Sequence, residues 1–129
     1  MILCLRTDSD IARLSLYEGS KLKFSDEWTA GRQLSQQLLP HILKLLAQAG
    51  LEVADLKGLA VYKGPGSFTG LRIGISVANA LAYGASLAIV GASGEQWVQD
   101  GIRALKGGQD QKIIVPDYGA EPNISRPKR

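Results

Sequence analysis

Near the N terminus the apolar residues recur with a period of two. Ile2-Leu3-Cys4-Leu5 opens the stretch 2–6 as an almost unbroken apolar run, as a central strand covered on both faces requires. From 11 to 18, Ala12, Leu14 and Leu16 point one way and Arg13, Ser15 and Tyr17 the other, which predicts a strand with one wet face. Gly19-Ser20 signals a turn, and 21–28 continues with Leu22 and Phe24 set against Lys21 and Lys23. The period then changes. Between Arg32 and Ala49, Leu34, Leu38, Leu39, Ile42, Leu43, Leu45 and Leu46 have helical spacing, with Gly50 as a stop and Pro40 as a kink or a second start. Leu59-Ala60-Val61-Tyr62 reads as a short buried strand, 63–70 as a glycine-rich loop, and about 70–83 as a second helix. Leu87-Ala88-Ile89-Val90 follows as a strand, and about 94–106 as a third helix with Val98, Ile102 and Leu105 on one face. Gly107-Gly108 ends that helix, and Lys112-Ile113-Ile114-Val115 is a candidate last strand.

Three antiparallel strands followed by alternating helices and strands predict a ribonuclease-H-like α/β fold, a mixed five-stranded sheet with helices on its faces. Residues 1–115 form the expected subdomain and 116–129 a tail. At 129 residues the chain fits one ordinary domain. Its balance of 45% hydrophobic to 21% charged residues belongs to a globular protein rather than a disordered one. No apolar run approaches the ~20 residues that span a bilayer. A single cysteine, Cys4, excludes an internal disulfide, and with no secretory signal legible at the front a cytoplasmic location is expected. Cys4 itself reads as a buried, inert thiol. Arg126-Pro127-Lys128-Arg129 supplies three of the positive charges behind a net +3; a solvated end is the simpler reading, and phosphate contact the other.

The chemistry, if any, sits in Gly64-Pro65-Gly66-Ser67-Phe68-Thr69-Gly70-Leu71-Arg72-Ile73-Gly74, between a buried strand and a helix. Gly64 and Gly66 permit positive φ or close backbone approach, and Pro65 stiffens the turn. Ser67 or Thr69 can cap the helix, whose N-terminus could hold an anion. A phosphate loop would need Gly-Lys-Ser/Thr where Gly70-Leu71 stands, and a dinucleotide site would need an acid after Ile89-Val90, where Gly91 stands. A structural or interface loop is the expectation.

As a string, GPGSFTGLRIG resembles the signature of the TsaB (YeaZ-like) family, degenerate relatives of the actin-like ATPase superfamily. Ile2-Leu3-Cys4-Leu5 with Thr7 is similar to that family's opening strand. Leu34-Ser35-Gln36-Gln37-Leu38-Leu39-Pro40-His41-Ile42 resembles its first helix, and Val115-Pro116-Asp117-Tyr118 its final segment. The chain departs from the pattern at Arg6, where the family usually carries an acid, and at Leu34 and Gln36, where it usually has His and Glu. The second actin-like subdomain is expected to be absent, as if removed between 107 and 113, so a nucleotide site split between two lobes cannot form here. The resemblance implies a non-catalytic scaffold that supports TsaD, which transfers threonylcarbamoyl to the adenosine beside the tRNA anticodon. It implies TsaE, an ATPase, as a further member of the assembly, and a homodimer through the same surface when TsaD is absent. Contact with tRNA would be indirect or weak, through the basic tail. No cofactor and no metal are expected. The alternative is a minimal actin-like nucleotide-binding phosphotransferase or hydrolase using the glycine loop.

Helix spacing suggests where the partner docks. On the second helix Arg72, Ser76, Asn79 and Tyr83 share one arc and nearly all else is apolar or glycine, a wider apolar surface than one sheet covers. Gly70, Gly74, Ala78 and Ala82 form a small-residue ridge, to be filled by the first helix of the same chain or by a partner's helix. The first helix spreads its leucines over about half its circumference, with Gln37, His41, Lys44 and Gln48 as the wet side. The predicted interface is Leu34, Leu38, Leu39 and Ile42 with Leu71, Gly74, Ile75, Ala78 and Ala82. Other residues read as bystanders. His41 is a surface histidine, Ser67 lacks a histidine partner, Asp8 and Asp10 suit an Asx turn, and Trp97 is a packing residue.

Overall fold

A computed structural model of the chain describes residues 1–66 and 68–118. The first three strands, β1 (Ile2–Arg6), β2 (Ile11–Glu18) and β3 (Lys21–Thr29), form an antiparallel meander. A 3-10 turn at 31–33 leads into α1 (Leu34–Gln48). Strand β4 (Gly58–Tyr62), helix α2 (Phe68–Ala85), strand β5 (Ile89–Ala92) and helix α3 (Trp97–Lys106) complete the order. β4 lies parallel to β1, and β5 parallel to β4, giving one mixed sheet ordered β3-β2-β1-β4-β5. This is the α/β architecture the alternation predicts.

Strand periodicity fixes the two faces. Leu3 and Leu5 pair with Leu16 and Leu14 across β1 and β2, and with Leu59 and Val61 across β1 and β4. These residues, all buried, lie under α1 and α2, which pack on each other. Cys4, Ser15 and Ala60 belong to the opposite face, where α3 lies on β4 and β5. The helix comes close there at Gly101, where a Cβ would stand 2.8 Å from that of Ala60.

Helix ends follow the C-cap rule in which a left-handed residue lets the next N–H reach back five residues. Gly50 (φ 73) closes α1 with Leu51 N–H donating to Leu46 C=O, and Gly108 (φ 87) closes α3 with Gln109 N–H donating to Ala104 C=O. On α2 the left-handed position is held by Ser86 (φ 56), and Leu87 N–H donates to Ala82 C=O. That cap consumes Leu87, so β5 begins at Ile89, two residues later than the apolar run predicts. Pro40 lies inside an unbroken α1 rather than at a second start. Both it and Gln36, whose C=O it leaves without a helical donor, are exposed to water.

Lys112–Val115 does not form a strand. Instead the stretch straps the outer edge of β5 with side chains in place of a ladder. Ile89 N–H donates to Asp110 Oδ1 (3.1 Å), Gly91 N–H to Gln111 Oε1 (2.6 Å), and Gln111 N–H to Ile89 C=O (2.8 Å). The Asn79 amide then takes both backbone groups of Ile114, donating to its C=O at 3.1 Å and accepting from its N–H at 2.9 Å. Among the described residues no helix is long and apolar enough to cross a membrane. Ser67 and the basic tail Arg126–Arg129 lie outside the described residues, as does the side chain of Phe68.

Candidate functional site: the glycine loop and the paired helices

The loop after β4 leaves the sheet at the C-terminal end of the parallel strands, where open α/β sheets place ligands. Gly64 (φ 120) precedes a cis bond to Pro65. A Cβ at Gly64 would run into the Asp117 carbonyl oxygen, so both its backbone angle and its surroundings require glycine. Each turn of the loop is tied down. Ser93 Oγ donates to Gly64 C=O, Tyr62 Oη donates to Pro65 C=O at 3.0 Å, and Asp117 N–H donates to Lys63 C=O at 2.7 Å. Gly66 presses against Asp8, 2.5 Å from its Cβ to the position a side chain would take. Thr7, buried at the end of β1, donates from Oγ1 to Gly70 C=O at 2.7 Å.

Beside the loop, Arg6 holds both carboxylate oxygens of Asp8, at 2.7 Å from Nε and 3.1 Å from Nη2. The hydrogen bond to Asp8 raises the Arg6 pKa above its ordinary value, and the guanidinium lies 3.9 Å from the centre of the Tyr62 ring. Tyr62 in turn meets Trp97 edge-on at 5.8 Å. The sequence assigns Asp8 and Asp10 to an Asx turn; the structure gives that turn to Ser9, whose Oγ accepts from Ile11 N–H at 3.2 Å, and gives Asp8 to Arg6. With both oxygens held, Asp8 is not an open metal ligand. Among the described residues no three His, Cys, Asp or Glu side chains converge as a metal site requires.

The second candidate surface is the outer face of α1 and α2, and here the structure corrects the sequence reading. Leu34, Leu38, Ile42, Leu71, Gly74, Ile75, Ala78 and Ala82 are buried by the chain's own sheet and neighbouring helix. The small-residue ridge does not await a partner's helix. It seats α2 against the sheet, and Gly74 lies directly over Thr7. Leu39 alone of the predicted interface is exposed, at 42%, and Leu43 joins it at 49%. Tyr83, at 89%, and the exposed Arg72, Ser76 and Ala80 face outward on α2. Between the helices runs a groove of about 480 Å³ lined by Ser35, Thr69, Arg72, Ile73, Ser76 and Val77. A second hollow of about 470 Å³, bearing Arg32 and Asp10, shares Thr69 and Ile73 with it.

One cluster escaped the sequence altogether. His41 Nδ1 hydrogen-bonds Asp26 Oδ2 at 2.7 Å, its ring stacks on Trp28 at 3.6 Å, and Trp28 Nε1 donates to Gln37 Oε1 at 3.0 Å. Gln37 and His41, read as the wet side of α1, therefore bind β3. The signal was the alternation that puts Asp26 and Trp28 on the α1 face of β3, opposite Leu14 and Ala12.

With the geometry described, the chain can be set beside known proteins. Residues 28–103 match the family model of TsaD, tRNA N6-adenosine threonylcarbamoyltransferase. The tRNA threonylcarbamoyladenosine biosynthesis protein TsaB of Escherichia coli is 36% identical over 92 residues, covering 71% of this chain and 39% of that protein. TsaB of Haemophilus influenzae is 37% identical over 90 residues, covering 69% of this chain and 37% of that protein. The solved structure of YeaZ from Pseudomonas aeruginosa superposes with a TM-score of 0.68 at 28% identity, over 83% of this chain and 49% of that one. The chain thus spans under two fifths to about half the length of the relatives it matches.

Proposed function

This chain belongs to the TsaD family, as a TsaB (YeaZ)-like protein, and from that membership we propose that it is a non-catalytic scaffold in tRNA threonylcarbamoyladenosine synthesis, supporting a TsaD-type transferase. It docks through the outer face of α1 and α2. TsaE is a further partner of the same assembly, two copies pair through this face when the transferase is absent, and tRNA contact is indirect or weak.

The observation that carries this reading is the pair Leu39 and Leu43, each almost half exposed on α1 beside the groove that α2 completes. A monomer gains nothing by leaving two leucines in water on one helix face. Covering what remains exposed is worth about 1 kcal/mol for each. The nucleotide-handling alternative is disfavoured by the Arg6–Asp8 pair, which ties up the carboxylate against which Gly66 presses. Co-expression with the tRNA N6-adenosine threonylcarbamoyltransferase of the same organism, followed by size-exclusion chromatography, tests the proposal. The two proteins should comigrate, and Leu39→Asp should separate them while leaving the circular dichroism of the chain unchanged. Comigration that survives Leu39→Asp together with Leu43→Asp would put the contact elsewhere.

A further inference from the structure

We propose that the groove between α1 and α2 receives a carboxylate carried on a helix of the partner protein, with Arg72 as its ion-pair partner. The inference rests on the scaffold reading above and specifies the chemistry of the surface that must meet this one. Of the arginines among the described residues, Arg6, Arg13 and Arg103 are each paired with an acid of the chain itself. Arg72 is not, and neither is Arg32 in the adjoining hollow. Three hydroxyls, those of Ser35, Thr69 and Ser76, line the same groove as Arg72 without a hydrogen bond to any described residue. Among the described residues no acid lines that groove; Asp10 belongs to the neighbouring hollow and pairs with neither arginine.

A guanidinium offers a planar fork of donors that matches a carboxylate, and hydroxyls beside it supply donors for lone pairs the fork leaves over. The rest of the groove's lining is aliphatic, Ile73 and Val77, and outside it the exposed Leu39 and Leu43 stand four and eight residues beyond Ser35 on α1. That mixture suits an amphipathic helix bearing an Asp or Glu. A nucleic-acid backbone would gain nothing from the leucines and would call for several cations in a row. Once a partner covers the groove, Arg72 loses water, so an acid opposite it is needed to avoid an unpaired buried charge.

The complex with the transferase of the same organism is titrated calorimetrically at low and high salt. Three variants of the full chain are compared: Arg72→Gln, Arg72→Glu and Leu39→Asp. Arg72→Glu should weaken binding by about 30-fold or more, as truncating one partner of a desolvated charge pair does. Arg72→Gln should remove much of the salt dependence, and reversing the facing acid on the partner's helix should restore binding to Arg72→Glu. Wild-type affinity and salt slope in both Arg72 variants, with binding lost in Leu39→Asp, would overturn the acidic-helix inference and leave the interface standing. Wild-type affinity in all three would overturn both. If Arg72→Glu instead abolished retention of tRNA and left the protein complex intact, the groove would be an RNA contact and the inference would fall.

Discussion

Gly74→Ala should destabilise this protein although it lies in mid-helix, where the same change ordinarily helps. In an exposed helix interior it is favourable by about 0.8–1 kcal/mol. Here α2 crosses the end of β1, and a Cβ at 74 would stand 3.1 Å from both Cβ and Cγ2 of Thr7 and closer still to Oγ1. Thr7 cannot turn aside freely, since it is 1% exposed and its hydroxyl is bonded to Gly70 C=O. Forcing an extra methyl into such a contact costs about 1–3 kcal/mol, and losing the hydrogen bond about 1 kcal/mol more. The net loss is therefore about 1–3 kcal/mol, a fall of about 1 M in the urea midpoint. Thr7→Ala removes Oγ1 and Cγ2 but keeps the Cβ at 3.1 Å, so in that background Gly74→Ala should cost clearly less than it does in the parent. Urea denaturation of the two single variants and the double variant completes the cycle, and the coupling should exceed about 1 kcal/mol. Gly74→Ala that is as stable as the parent, or a strictly additive double variant, would refute this account of why α2 carries glycine there.

Three further outcomes follow from groups described above. The N–H groups of Ile89 and Lys112, aided by the Lys112 ammonium, hold the Asp110 pKa below its ordinary 3.8. Its contribution to stability is therefore complete above 3.8 and is lost as the pH falls through the lower folded value; a carboxyl titration by NMR with its midpoint at or above 3.8 would contradict this. Burial pushes the Cys4 thiol up to about 12, so iodoacetamide at pH near 8 should label it only through global unfolding, and rapid labelling of the native protein would be inconsistent with that. Asn79→Ala leaves both backbone groups of Ile114 without their partner, a loss of about 1–2 kcal/mol. Trypsin should then cut faster after Lys112, and an unchanged cutting rate would show that the amide does not hold the segment.

Much of the fold was legible because burial here obeys simple periods. Ala12, Leu14 and Leu16 alternate as a half-covered strand must, and all three are buried. The glycine loop was legible as a tight structural turn, and Gly64 and Gly66 do lie where a side chain would collide. The misplacement on α2 has a physical origin. A helical wheel orders residues around an axis without saying how close the neighbour on each side comes. Gly74 and Ala78 look like a docking ridge on the wheel, yet the sheet beneath them approaches so closely that it needs small residues itself. On α1 the error runs the other way. Gln37 and His41 are polar, but Trp28 and Asp26 on β3 offer polar partners, while Leu39 and Leu43 are left outside. The strap along β5 was illegible because Asp110, Gln111 and Asn79 make it with side chains, which no backbone period records.

The strap leaves the sheet with two unlike margins. At β5 the outward N–H groups of Ile89 and Gly91 are already answered, so an extended segment from another molecule finds neither of these donors free. At β3 no described strand covers the margin, but an irregularity opposite Leu16 and Tyr17 breaks its line at Lys23, with Lys21 two residues before it. Stacking of copies edge upon edge, the ordinary hazard of a small mixed sheet, is thus discouraged at both ends by different means. A face that leaves Leu39 and Leu43 in water can thus stay greasy without turning the whole molecule adhesive.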